Sequence, residues 1–89
     1  KISEPASDLA VCLAIASSFY DKPVSSDVVS FGEVGLSGEV RSVNAGEKRI
    51  REAEKLGFSR AILPKKMKLD FSGKQIGVSH VAEAVKRFS

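Results

Sequence analysis

Residues 44–63 read NAGEKRIREAEKLGFSRAIL, and this stretch decides the fold class. Asn44, followed three residues later by Glu47, predicts a capping box at the start of a helix. The apolar residues that follow recur at the spacing of one helical face and are predicted to be its buried stripe: Ile50, Ala53 and Leu56.

The same stretch also predicts where that helix ends. Gly57 suits the left-handed backbone that closes many helices, and Phe58 behind it suits the apolar contact that accompanies such an end. Residues 60–63 (RAIL) then form a short apolar run closed by Pro64, which predicts a strand.

A second helix is predicted near the N-terminus. Pro5 suits the first helical position, where its missing N–H has no cost. Residues 9–19 are apolar almost all the way round, which is typical of a central helix covered on several sides, and Asp21-Lys22-Pro23 ends it. Before it, Ile2 is expected to end a strand that begins upstream.

The remaining elements alternate between strands and a last helix. Residues 28–31 predict a strand, Gly32, Gly35 and Gly38 a bend or hairpin, and residues 39–43 a second strand. A further strand spans residues 75–78, and Ser79 is predicted to cap a final helix. The predicted fold class is α/β (α+β), a small mixed sheet with three helices packed on it.

Composition bounds the function without naming it. The 89 residues make one small domain, and 14 Lys and Arg against 11 Asp and Glu give a net charge of +3. A mild basic balance permits contact with nucleic acid but does not establish it. A single cysteine, Cys12, fits a reducing, cytoplasmic setting, and no apolar stretch has the length of a membrane span.

Two features that could suggest catalysis have structural interpretations. The glycine-rich segment leads into a strand and lacks the Gly-Lys-Ser/Thr ending of a phosphate loop, so we interpret it as a bend. His80 is the only histidine, and a metal or catalytic site needs more ligands than one histidine provides. No metal site is predicted.

Two basic groups are candidates for nucleic-acid binding. The first lies on a strand and the polar face of the next helix: Arg41, Lys48, Arg49, Arg51 and Lys55. The second follows Pro64: Lys65, Lys66 and Lys68. Such clusters can neutralise phosphates, but pairs such as Glu47 with Arg51 would also explain the helical group as an ordinary solvated face.

Several runs of sequence resemble bacterial RadA (Sms) proteins, and together they cover nearly the whole chain. They are EPASDLAV (4–11), AIASS (14–18), FGEVGLSGEVR (31–41), RIREA (49–53), KLGF (55–58) and AILPK (61–65). This region of RadA is similar to Lon proteases, so the resemblance implies the fold shared by Lon proteolytic domains and a ribosomal-protein domain. It also implies that residues 1–89 are one domain fragment that lacks its N-terminal strands and the upstream ATPase domain.

The resemblance implies that the protease chemistry of Lon is lost. Lon uses a serine–lysine dyad, and the matching positions here are Ala6 and Arg49. Alanine has no nucleophilic oxygen, and arginine does not release its proton to act as a general base. Ser7 and Lys48 are each one residue away, which turns a helical side chain by about 100°, so both are expected to face the wrong way.

The implied role is therefore non-catalytic: DNA binding and ring assembly within a DNA repair and recombination protein. The intact protein is expected to be a DNA-dependent ATPase that forms a hexameric ring. Its cofactors ATP, Mg and Zn would lie outside this fragment, which needs none. Two alternatives stay open, a fragment of an active Lon-type protease and a purely structural oligomerisation scaffold.

Overall fold

Three helices and five short strands make up the fold. The computed structural model describes residues 4–89, so the strand end predicted at Ile2 lies outside the described part. In chain order the elements are a 3-10 turn (Pro5–Ser7), α1 (Asp8–Tyr20), β1 (Val28–Ser30), β2 (Glu33–Val34), β3 (Val40–Arg41), α2 (Gly46–Lys55), β4 (Arg60–Pro64), β5 (Lys74–Val78) and α3 (Val81–Val85). The predicted order of helices and strands is confirmed, with the short strand β2 added.

The strands form one parallel and one antiparallel group. Strands β1, β4 and β5 make a parallel sheet in that order, with Ser30 opposite Ile62 and Ile62 opposite Ile76. Strands β2 and β3 make a separate antiparallel hairpin around the glycine-rich segment. The predicted small mixed α/β class with three helices is confirmed, although its parallel and antiparallel pairs belong to two sheets.

Strand β4 is the centre of the core because both of its faces are covered. Ile62 packs with the residues of α1 and α3, in a cluster that includes Leu9, Leu13 and Phe88. Ala61 and Leu63 point the opposite way, into a second cluster with Ile50 of α2. Successive strand side chains alternate between faces, so one short apolar strand supports helices on both sides.

The end of α2 forms as its sequence predicts. Gly57 has φ +87°, and its N–H donates to the carbonyl of Glu54 at 3.1 Å while the N–H of Phe58 donates to the carbonyl of Ala53 at 3.1 Å. These two bonds are the paired closure expected when a glycine ends a helix.

The start of α2 differs from the prediction. Ala45 precedes the helix with φ +59°, and no side-chain cap forms, so the predicted capping box of Asn44 and Glu47 is wrong. The carbonyl of Asn44 instead accepts a hydrogen bond from Nε of Arg49 at 3.3 Å. Gly46 is buried against Met67, and a Cβ added there would collide with that side chain. The loop after β4, which carries Met67, therefore packs against the first residue of this helix.

The last helix begins one residue later than predicted. His80, not Ser79, is its cap: Nδ1 of His80 accepts from the N–H of Ala82 at 3.0 Å. Glu83 completes a capping box by accepting from the N–H of His80 and, at 2.7 Å, from the N–H of Ser79. The imidazole also reaches the carbonyl of Ser37 at 2.9 Å, which makes the longer histidine ring the better cap here.

Helix α1 is less covered than predicted. Leu9 and Leu13 are buried, but Val11, Ile15 and Phe19 are 54%, 65% and 79% exposed. The expectation that α1 is covered on several sides is therefore wrong for the part of the chain that the structure describes. Leu56, predicted to belong to the buried stripe of α2, is also exposed, because it lies beyond the last helical turn.

Candidate nucleic-acid interface and the dyad positions

The two positions that the resemblance matches to the Lon dyad line one cavity. Ala6 lies in the turn before α1 and Arg49 lies on α2, and both line one cavity of about 320 Å³. Backbone bonds hold the turn in place: the N–H of Gly32 donates to the carbonyl of Ala6 at 2.9 Å, and the N–H of Leu9 donates to the carbonyl of Gly32 at 3.0 Å. These bonds to Gly32, which follows β1, hold the turn in the place where it lines a cavity together with α2.

The groups at these positions cannot perform serine–lysine chemistry. Ala6 is buried and offers only a methyl group. The guanidinium of Arg49 forms an ion pair with Glu4 and donates to the carbonyl of Asn44. A permanently protonated, doubly engaged guanidinium accepts no proton from a nucleophile.

The neighbouring serine and lysine do not replace the lost pair. Ser7 is exposed and absent from the walls of the cavity, and Lys48 lines a different cavity beside strand β1. A nucleophile and its base must lie within hydrogen-bond reach of each other. The geometry of this cavity therefore contains no shifted dyad.

The basic residues of α2 divide between two faces. Lys48, Arg51 and Lys55 are exposed and spaced at three and four residues, so they share one helix face. Arg49 turns away from them towards Glu4. Within the described residues no ion pair joins Glu47 to Arg51, but both side chains are exposed, so an ordinary solvated face stays an alternative interpretation.

Arg41 lies with the second basic group rather than with α2. Arg41, Lys65 and Lys66 line one cavity of about 370 Å³ between β3 and the ends of β4 and β5. Two backbone bonds join these segments: the N–H of Val40 donates to the carbonyl of Ser79 at 2.9 Å, and the N–H of Lys65 to the carbonyl of Val78 at 2.8 Å. The grouping of Arg41 with the α2 residues, made from sequence proximity, is corrected by this contact.

Glu39 is the acidic member of this cavity. Its carboxylate pairs with Nη2 of Arg41 at 2.6 Å and accepts from Oγ and N–H of Ser37 at 2.7 and 3.2 Å. The hydrogen bond from the Ser37 hydroxyl, followed by that from Arg41, lowers the pKa of Glu39 to about 2. The same contact raises the pKa of Arg41. Both groups are therefore charged throughout the physiological range.

An acidic hub that the sequence analysis missed ties β1 to β4. Asp27 accepts a forked pair of bonds from Nε and Nη2 of Arg60 at 2.9 and 2.8 Å, and further bonds from the hydroxyls of Ser25 and Ser59. Arg60, then Ser25 and Ser59, hold the pKa of Asp27 well below its usual range. The parallel pairing of Val28 with Arg60 could have predicted this contact, because it places the residues just before them, Asp27 and Ser59, side by side.

No group of three or more His, Cys, Asp or Glu side chains among residues 4–89 could hold a metal ion. None of the described helices combines the length and the apolar character needed to cross a membrane.

Comparisons with known proteins place the chain among its relatives. A family model described as subunit ChlI of Mg-chelatase matches residues 2–67. A protein named DNA repair protein RadA from Aquifex aeolicus is 48% identical over 86 residues, which cover 96% of this chain and 19% of the relative. Proteins of the same name from Bacillus subtilis and Escherichia coli are 50% identical over 91 residues and 55% identical over 64 residues, covering 97% and 72% of this chain and 20% and 14% of theirs. The chain thus spans about a fifth of these relatives or less.

Proposed function

The chain belongs to the family that the ChlI model describes and to the group of DNA repair protein RadA, and on this premise we propose that it is a non-catalytic, Lon-like domain of a DNA repair ATPase. In this proposal the domain contributes to DNA binding and to ring assembly. Its relatives carry DNA repair in their names, which supports the coarser role. The observation that supports the non-catalytic part of the proposal is the shared cavity of Ala6 and Arg49, in which Arg49 is paired with Glu4 at the position that the resemblance matches to a catalytic base.

Labelling with a fluorophosphonate probe tests the loss of protease chemistry. The folded chain should remain unlabelled, because its cavity has no serine hydroxyl beside a base. An active serine–lysine protease serves as the positive control for the probe. Mass spectrometry that finds the probe on Ser7 of the folded chain would instead support the alternative of an active Lon-type protease.

DNA binding is proposed for the two sets of cations that the fold presents. These are Arg41, Lys65 and Lys66 at one cavity, with Lys48, Arg49, Arg51 and Lys55 on α2. Lys48, Arg51 and Lys55 project from an exposed face, whereas Arg49 is engaged with Glu4 and should contribute less. Cations that neutralise phosphates release counterions, so affinity should fall steeply as salt rises.

Fluorescence anisotropy with labelled DNA at two salt concentrations tests this proposal. A variant with Lys48, Arg51 and Lys55 all changed to alanine should bind more weakly and with a smaller salt dependence. The matched control changes Lys22, Lys86 and Arg87 to alanine, which removes the same charge from another part of the surface. Equal losses in both variants would show only an effect of net charge, and no binding at low salt would refute the DNA-binding role.

A purely structural oligomerisation scaffold is the second candidate function. The exposed apolar stripe on α1, formed by Val11, Ile15 and Phe19, favours it, because such stripes are commonly covered by a partner. Size-exclusion chromatography with light scattering distinguishes the two. A stable ring of this chain without DNA affinity would favour the scaffold.

The nucleotide and metal cofactors of the intact protein are proposed to lie outside this chain. The glycine-rich segment forms the β2–β3 hairpin rather than a loop at a helix start, so its residues do not fit the phosphates of ATP. The zinc and Mg sites are likewise assigned to other parts of the intact protein. Its ATPase activity, hexameric ring and cytoplasmic location remain proposals from the same resemblance.

A further inference from the structure

The cavity between β3, β4 and β5 carries more positive than negative charge. Arg41, Lys65 and Lys66 line it, and Glu39 is the carboxylate among its walls. Among residues 4–89 no ion pair within 4 Å involves Lys65 or Lys66, although the charge of Lys65 also acts on the carboxylate of Glu83. Two lysines outside these ion pairs and one guanidinium paired with Glu39 therefore line one cavity.

The fold gives these cations fixed anchor points. Pro64 ends β4, and the N–H of Lys65 is bound to the carbonyl of Val78 on β5. Gly77 lies against the backbone of Lys65, close enough that an added Cβ would sit 3.0 Å from its Cα. The backbone that carries the lysines is thus packed on β5, and only the side chains need to be ordered by a ligand.

The cavity differs in charge from the basic face of α2. It has a volume of about 370 Å³, compared with the roughly 30 Å³ that a water molecule occupies. Glu47 and Glu52 are interleaved with the cations of α2, of which Lys48 and Arg49 line other cavities. Three cations that line one cavity with a single carboxylate can hold a single anion.

We propose that this cavity holds one phosphate group of the DNA backbone, bound by Lys65 and Lys66, and that Glu39 limits its affinity by occupying Arg41. This inference rests on the proposed DNA-binding function and names the place where the backbone is held. The hydroxyl of Ser42, which also lines the cavity, supplies a neutral donor. The carboxylate of Glu39 repels the phosphate and engages the guanidinium that would otherwise bind it.

If Glu39 limits the affinity, neutralising this carboxylate should strengthen DNA binding. Glu39→Gln removes the negative charge while keeping a side chain that can still accept a bond from Ser37. Arg41 is then free to donate to the phosphate. Because an exposed ion pair is a modest interaction, DNA affinity should rise by about twofold to fivefold.

Anisotropy titrations of the 89-residue chain with single-stranded and duplex DNA of one sequence test the proposed phosphate site, here called the phosphate seat, formed by Lys65 and Lys66. Loss of charge-assisted bonds in Lys65→Ala/Lys66→Ala should weaken binding about tenfold. It should also reduce the slope of log affinity against log salt by about one, as expected for one phosphate contact. Lys22→Ala/Lys86→Ala is the charge-matched control, and thermal unfolding of each variant checks that it is folded.

Competition by inorganic phosphate, followed by amide NMR shifts, shows whether the cavity recognises the phosphate itself or needs the polymer. Shifts at Ser42, Lys65 and Lys66 in the unmodified chain, absent from the double variant, support the seat for a phosphate of either source. Shifts that appear with DNA but not with inorganic phosphate support a seat that binds a phosphate only together with its neighbours in the DNA backbone.

The outcomes separate this inference from the proposed function. If the unmodified chain binds DNA and Lys65→Ala/Lys66→Ala binds as tightly, the phosphate seat is wrong while the DNA-binding role stands. If the unmodified chain binds no DNA at the lowest salt, both are wrong. If Glu39→Gln binds DNA no more tightly than the unmodified chain, Glu39 does not limit the affinity. If adding Arg41→Ala to Glu39→Gln leaves the increase in affinity unchanged, Glu39 does not act through Arg41.

Discussion

Replacing Phe88 with alanine should bring the chain close to unfolding. Phe88 is the second residue from the end, yet it is 1% exposed and packs with Leu9 and Leu13 in the core cluster of α1 and α3. Removing a buried phenylalanine ring costs about 3–5 kcal/mol. A chain of 89 residues has a free energy of unfolding of about 4–13 kcal/mol, so one substitution removes a large share of it.

Urea unfolding followed by circular dichroism measures the effect. With an m-value of about 1 kcal/mol/M, the unfolding midpoint should fall by about 3 M, and a less stable chain would already be unfolded without urea. Phe88→Leu keeps most of the volume and should cost less than about 1.5 kcal/mol. This graded pair separates a packing effect from loss of the aromatic ring.

Phe19→Ala is the matched control because it removes the same side chain from an exposed site. Phe19 is 79% exposed on α1, so its loss should change the free energy of unfolding by about 0.5 kcal/mol or less. A loss of less than 1 kcal/mol for Phe88→Ala would refute the placement of the C-terminal residues in the core. A loss for Phe19→Ala as large as for Phe88→Ala would show that the outer face of α1 is covered in solution.

Two further substitutions test local features of the fold. Gly57→Ala should cost about 1–2 kcal/mol, the cost of a left-handed backbone for alanine, because φ is +87° and no atom lies near enough to clash; unchanged urea unfolding would contradict the left-handed helix end. Asp27→Asn should lower the melting temperature at neutral pH and weaken its decrease in acid. The depressed pKa of Asp27, caused first by Arg60, gives stability that is present above the unfolded value near 3.9 and lost as pH falls below it. Glu39 and Glu83, whose pKa values are also lowered, should still cause part of the loss of stability in acid. If the melting temperatures of Asp27→Asn and the unmodified chain depend on pH in the same way, Asp27 does not contribute to that loss.

The positions that the resemblance matches to the Lon dyad lie at one cavity. The turn before α1 and the first turns of α2 meet there, and the backbone bonds between Ala6, Leu9 and Gly32 that hold the turn do not depend on the side chain at position 6. Glu4 pairs with Arg49 in the same cavity. This location therefore depends on backbone packing and not on the residue type at position 6.

Local sequence determined the elements whose signals lie within a few residues. Gly57 and Phe58 specify the end of α2 through bonds to Glu54 and Ala53, and the short apolar run of residues 60–63 predicts the strand β4, whose last four residues are all buried. The absence of a nucleophile at Ala6 is also readable from the chain alone once the resemblance gives the alignment. These features need no knowledge of distant residues.

The caps and the coverage of helices depended on tertiary contacts. Asn44 has the right residue type and spacing for a cap, but the helix begins after a left-handed Ala45 without a side-chain cap, with Gly46 close to Met67 from the loop after β4. Ser79 lost its predicted role to His80, whose ring also reaches Ser37 across the hairpin. Capping propensities describe one helix at a time, and a competing contact from another segment outweighs them.

The grouping of charges was decided by tertiary structure alone. In sequence Arg41 stands nearer to the basic residues of α2. A backbone bond from Val40 of β3 to Ser79, just after β5, and the pairing of β5 with β4 nevertheless place it in one cavity with Lys65 and Lys66. Electrostatic interactions follow distance in space, and strand pairing sets that distance between residues far apart in the chain. The sequence by itself therefore determined which cations the domain carries, and the fold determined which of them line one cavity.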